Sequence, residues 1–284
     1  MIIESKQNLP LVNSEKEEVY PILPLRSGVL FPKMTLTIQV VRPENMALIN
    51  HCYGEKKKFV AVYSKIEGSE VELSRIPLFS VGVLTQIGEI LPGPKDYKTV
   101  ILEGIERVAL VRKVDTEPFI TAVVSKLKIE PGDSAVTGKQ SKLAYTSVSE
   151  ITDLDPSYSS EQLVMLKSSL TDPGLLADAI AASFRIPLVN KQEVLETANI
   201  GERLTLLQGF LDEELSRIKT RQSIDTNVRK TFQKKREHEI LREELAEIKK
   251  RLGEDITEET ESERIKQLIR GMPELPPEVI SRAT

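Results

Sequence analysis

Apolar and polar residues alternate along the first part of the chain. Met34, Leu36, Ile38 and Val40 are separated by Thr35, Thr37 and Gln39, the period of a strand with one buried face. Runs of the same kind occupy 59–63, 81–90, 99–102, 107–111 and 119–129. Pro92-Gly93-Pro94-Lys95-Asp96 predicts a loop between the second and third of these. One helix interrupts the strands, with Pro43 at its first position, Met46, Ile49 and Tyr53 along one side, and Gly54 as its stop. Residues 19–130 therefore read as a β-rich lobe behind a flexible N-terminus, residues 1–18.

After Pro131-Gly132-Asp133 the period becomes helical. Leu143, Val148, Ile151 and Leu154 recur at helical spacing, followed by Leu163, Leu166 and Leu170. Thr171-Asp172-Pro173 reads as a helix start, with Leu176, Ile180 and Phe184 on one face beyond it. Asn190 with Glu193, and Asn199 with Glu202, resemble capping boxes. These features define a helical lobe at 131–198. Residues 199–252 contain no proline, and as one helix would extend about 80 Å. Their apolar positions are dense at the start (Leu204, Leu207, Leu211, Leu215, Ile218) and again at the end (Leu241, Leu245, Ile248, Leu252). A sparse, charged middle predicts a helix that projects from the globule. Gly253 is the expected stop, and 253–284 reads as an acidic linker leading into further helices. Strands first and helices later make the fold class α+β: twisted sheets or a pseudo-barrel, then a helical bundle and a long projecting helix.

Composition narrows the function. Lys+Arg number 39 against 43 Asp+Glu, a net charge of −4 that argues against general polyanion binding. One cysteine excludes an intramolecular disulfide framework, and two histidines leave little for a zinc site. No export signal is apparent, and no apolar run approaches the ~20 residues that span a bilayer. A cytoplasmic location without membrane contact is expected. Two stretches imitate a phosphate loop. In Gly88–Gly93, Pro94 stands where the lysine is needed; Gly132 to Gly138-Lys139 is one residue too long, with Gln140 in place of the magnesium-binding hydroxyl. Both read as ordinary loops, so the chain holds no cofactor of its own. His51 and Cys52 are adjacent on a helix and point about 100° apart, so they form no direct thiolate pair. Cys52 reads as a small, partly buried thiol. No catalytic or metal-ligating residue is nominated.

A set of motifs in one order resembles a known family. Tyr20-Pro21-Ile22-Leu23-Pro24-Leu25-Arg26 followed by Phe31-Pro32 is similar to the opening of the N-terminal region of Lon, the ATP-dependent AAA+ serine protease. Leu78 to Val83, Val100 to Arg107, Asp172-Pro173 with Leu176 to Ala181, Lys191 to Glu196, Glu202-Arg203-Leu204, Leu241-Arg242-Glu243 and Met272-Pro273-Glu274 continue the resemblance. The resemblance implies a region that captures unfolded, damaged or tagged proteins and helps to hold a hexamer together. ATP, magnesium and the Ser-Lys peptidase dyad would belong to segments further along such a protein, and their motifs do not occur in these 284 residues. His238 and Glu239 replace an aromatic pair usual in the family, and Glu244 a common glutamine. A stand-alone binding, scaffold or holdase-like protein is the alternative.

Unfolded chains are recognised by exposed apolar surface. The candidate contacts are Leu30, Phe31, Pro32 and Met34 near the start, and Leu91, Pro92, Pro94 and Tyr97 at the loop. On the long helix, Lys230, Lys234, Lys235 and Arg236 with Leu241, Leu245 and Ile248 are the candidates for self-association or a partner helix. The basic cluster would also suit DNA, but no recognition-helix or interleaved aromatic pattern supports that reading.

Overall fold

A computed structural model describes residues 18–64, 76–91 and 97–251. Six strands come first: β1 (Glu18–Leu25), β2 (Thr35–Val40), β3 (Phe59–Tyr63), β4 (Val81–Leu91), β5 (Lys98–Lys113) and β6 (Thr121–Lys126), with helix α1 (Pro43–Glu55) between β2 and β3. They form one sheet in the order β2-β5-β4-β3-β1-β6. An added β5–β6 pairing joins the ends of β5-β4-β3-β1-β6 into a ring, with β2 on the outer flank of β5. β1 and β3 run parallel, and the other pairings are antiparallel.

The expected strands at 99–102 and 107–111 are one strand, β5. Gly104 lies inside it, where an added Cβ would come within 2.3 Å of the Phe31 carbonyl oxygen. The glycine permits a close backbone approach within a strand rather than ending one. The alternation also has a second meaning. Along β1 to β6, Ile22, Val60, Val62, Leu84, Val108 and Val124 enter one small core. The intervening Leu23, Leu25, Phe59, Ala61, Val83 and Ala109 enter the large one. Hence β3 is buried at all five positions, because both faces of the sheet meet apolar neighbours.

In α1 the buried residues are Leu48, Ile49 and Cys52, while Tyr53 is exposed. Gly54 does not stop it; Lys56 does, in left-handed conformation at φ 50°.

The helical part comprises α2 (Ser134–Leu154), α3 (Ser160–Ser168), a short 3-10 turn (Ser169–Thr171), α4 (Pro173–Ser183) and α5 (Leu188–Glu196). Two predicted starts are present. The Asp172 side chain accepts from the Leu175 N–H at 3.0 Å, and the Asn199 side chain accepts from Gly201 and Glu202 at 2.9 and 3.2 Å. The predicted start at Asn190 is absent, because α5 begins at Leu188 behind Pro187. Proline fixes the backbone one turn earlier than the Asn-Glu spacing suggested. Val148, Ile151, Leu166, Leu176 and Ile180 join the large core, whereas Leu143 is exposed.

The last described helix, α6, runs Ile200–Arg251. Its buried residues end at Ile218, and 219–251 are exposed throughout. The chain divides into two compact units, Met1–Thr220 and Arg221–Thr284. Of the expected N-terminal segment 1–18, Glu18 opens β1 and the rest lies outside the described residues, as do the helix stop at Gly253 and the linker after it. Among the described residues no helix is long and apolar enough to cross a membrane.

Candidate functional site

The apolar residues expected to meet unfolded protein separate into three groups. Leu30 and Phe31 are 2% and 0% exposed and belong to the large core. This corrects their expected exposure. The turn that carries them is pressed against β5: the Lys33 N–H donates to the Gly104 carbonyl and the Gly104 N–H to that of Met34, both at 2.9 Å. Pro32, Met34, Leu91 and Tyr97 are half-buried, with Met34 packed on the core. Pro92 and Pro94 lie outside the described residues. The two sets do not converge. The 30–34 turn bonds to Gly104, whereas Leu91 pairs with Thr99, about 17 Å away along β5. They mark opposite ends of the stretch of β5, Lys98–Glu103, that pairs with β2.

On α6, Leu241, Leu245 and Ile248 are 55%, 57% and 52% exposed, and their spacing of four and three places them on one face. Lys230, Lys234, Lys235 and Arg236 are exposed, and among the described residues no ion pair engages them. Further along, Arg251 pairs with Glu247 at 2.7 Å.

The densest polar cluster was not anticipated. Arg107, on β5, donates from both terminal nitrogens to the two carboxylate oxygens of Asp178 on α4, at 2.7 and 2.6 Å. Its Nε donates to the Leu195 carbonyl at 2.9 Å. Arg203, in the first turn of α6, donates to the same Asp178 at 3.3 Å and to the Thr197 carbonyl at 3.0 and 2.8 Å. Arg107, Asp178 and Arg203 are 5%, 3% and 1% exposed. The group holds two positive charges against one negative. Burial first, then the neighbouring Arg107, pushes the Arg203 pKa down to about 10, so it remains protonated at neutral pH. With its carboxylate shared between two guanidinium groups, the cluster acts as a clamp between the β-lobe and the helices. Nearby, the Gln192 side-chain N–H donates to the Val81 carbonyl at 2.9 Å across the same boundary. Each of the three charged residues falls within a motif that carries the Lon resemblance, and that was the signal available.

The remaining candidates have structural roles. Cys52 is fully buried rather than partly so, and burial pushes its thiol up to about 11. Gly88 lies within β4 at a register shift. Gly132 turns the chain at φ 71°, and Asp133 then caps α2, which places Gly138 and Lys139 on the helix. A helical glycine and lysine cannot cradle a phosphate with loop N–H groups. Among the described residues no group of three or more His, Cys, Asp and Glu could hold a metal ion.

Comparison with known proteins gives the strand-ring and its helices a family. The model of the "ATP-dependent protease La (LON) substrate-binding domain" matches residues 19–213. The chain belongs to that family. Relatives include Lon protease of Escherichia coli (strain K12), 30% identical over 259 residues, covering 90% of this chain and 32% of that protein. Lon protease of Koribacter versatilis (strain Ellin345) is 31% identical over 266 residues, covering 92% of this chain and 32% of that protein. The chain thus spans about a third of the length of these curated relatives. The solved N-terminal domain of Mycobacterium avium complex Lon protease shares the fold, with a TM-score of 0.55 and 19% identity over 69% of this chain and 98% of that one. As a member of the LON substrate-binding domain family, the chain has a substrate-binding role. The family match ends at 213, near the point where α6 stops burying residues.

Proposed function

We propose that this chain is the substrate-recognition and assembly region of an ATP-dependent serine protease of protein quality control in the cytoplasm. It binds unfolded or damaged proteins and performs no bond cleavage itself; ATP and magnesium act in other segments of the protease. The family match over residues 19–213 carries this reading. The half-buried Pro32, Met34, Leu91 and Tyr97 offer modest apolar contacts. Several such sites assembled in a hexamer would convert weak contacts into firm capture.

The purified chain is expected to bind a chemically unfolded reporter protein in preference to its folded form. Met34→Ser with Tyr97→Ser should weaken that capture several-fold, with the melting temperature shifted by only a few degrees. Anisotropy and thermal melts measure the two quantities, and unchanged capture would remove these residues from the binding surface.

Self-association rests on the exposed face formed by Leu241, Leu245 and Ile248, whose spacing suits helix pairing. Leu241→Asp with Leu245→Asp should lower the sedimentation mass of the chain without changing its strand and helix content. An unaltered mass would exclude this face as the contact.

A further inference from the structure

Among the described strands, β2 has a partner on one side only, β5. The Gly104 N–H donates to the Met34 carbonyl, and the register then runs without a shift from the Thr35–Glu103 pair to the Val40–Lys98 pair. In an antiparallel ladder every second residue turns its N–H and C=O toward the partner strand. Leu36, Ile38 and Val40 therefore bond to β5, and Thr35, Thr37 and Gln39 turn their backbone groups outward. Among the described residues no hydrogen bond meets these outward groups. Residues 38–42 border a cavity of about 360 Å³ shared with residues 23–27, so open space adjoins that end of the edge.

Exposed strand edges are normally guarded by charge, proline or a bulge. The opposite edge of the same ladder is guarded in this way. Beyond Thr85, β4 has no β3 partner, and there its register against β5 shifts between Ile87 and Glu89. Glu89 adds an exposed charge. β2 reads Thr-Leu-Thr-Ile-Gln-Val, with neither charge nor proline. Its half-buried Leu36 and Ile38 continue the row begun by Met34 and pack on the large core. A strand added outside β2 would set its own alternate side chains beside them and cover the flank that water now reaches.

We infer that the outer edge of β2 takes an extended segment of a protein substrate as an added strand, hydrogen-bonded to Thr35, Thr37 and Gln39, with alternate apolar side chains beside Leu36 and Ile38. It rests on the substrate-binding reading and names how that substrate is held. Backbone groups of folded proteins are already paired, so such an edge selects unfolded chains without reading a particular sequence. A second copy is the poorer occupant: six residues give an edge of about 20 Å, a small part of the ~1,200 Å² that a stable interface buries. A contact of that size suits reversible capture repeated over several sites.

The test uses the whole chain and a fluorescein-labelled peptide, Ser-Lys-Thr-Val-Thr-Val-Thr-Val-Lys-Ser, beside the same peptide N-methylated at its four central residues. The unmodified peptide should bind about tenfold more tightly, the effect of losing two or three backbone hydrogen bonds. Thr37→Pro removes one outward N–H and spares every bond to β5; it should weaken the unmodified peptide by a similar factor and leave the N-methylated one unchanged. Amide hydrogen exchange read by NMR should be fast at Thr35, Thr37 and Gln39 in the free chain and slow once the peptide is bound. Equal binding of the two peptides by the unaltered chain overturns the inference, and that comparison needs no variant to fold. Slow exchange of the three amides in the dilute free chain would overturn it too, because the edge is then already covered. Protection that grows with chain concentration alone would overturn the choice of a substrate over a second copy. Capture of an unfolded protein without protection of these amides defeats this inference alone. Failure to bind either peptide or any unfolded protein defeats the substrate-binding reading beneath it.

Discussion

Asp178→Ala is expected to lower the unfolding free energy by about 3–5 kcal/mol, the usual effect of removing one partner from a buried ion pair. The carboxylate is 3% exposed and is shared by Arg107 and Arg203. Without it, two guanidinium groups remain in the interior, with only the weaker attraction of Asp172 acting on Arg203. A loss of that size is a large part of the roughly 5–15 kcal/mol that holds a domain together. Urea unfolding followed by circular dichroism measures it, and a loss below about 1 kcal/mol would show that the clamp is not structural. Replacing all three members together, with Arg107→Met, Asp178→Leu and Arg203→Met, should cost less than the single change, because no charge is then stranded. Failure of that rescue would point to the carbonyl bonds from Arg107 and Arg203 to Leu195 and Thr197 as the larger contribution.

Phe31→Ala is expected to destabilise by about 3–5 kcal/mol through the cavity it leaves. Its side chain is fully buried beneath the turn that bonds to Gly104. The same variant, kept below its melting temperature, should capture an unfolded reporter as well as the unaltered chain does. Loss of capture at unchanged stability would instead restore Phe31 to the contact surface. The comparison separates a residue that shapes the binding lobe from one that touches the substrate.

The two residues also show where sequence reasoning succeeds and stops. The runs at 59–63 and 81–90 were legible because β-branched residues and flanking turn signals act locally. The caps at Asp172 and Asn199 were legible for the same reason. Gly104 misled, since a glycine between two apolar runs has the same local signature whether it ends a strand or admits a neighbouring backbone. Leu30 and Phe31 misled because apolar residues in a loop pack inward or face water according to what lies above them, and that is a tertiary fact. The clamp was the hardest feature to foresee. Arg107 and Asp178 are 71 residues apart, beyond any periodicity, and in a chain rich in charge nothing local marks two arginines and one aspartate as partners.

The clamp also imposes a timetable on biosynthesis. Translation at about 5–20 residues per second delivers Asp178 some 4–14 s after Arg107, given their 71-residue separation. Once β6 has followed, ending at Lys126, the strand-ring can form, yet the arginine on β5 still has no carboxylate to receive it. The ring is therefore expected to stay open to chaperones, proteases or premature partners until α4 emerges. A ribosome stalled after β6 has emerged but before Asp178 is added would expose a nascent chain whose first lobe is assembled but not yet secured.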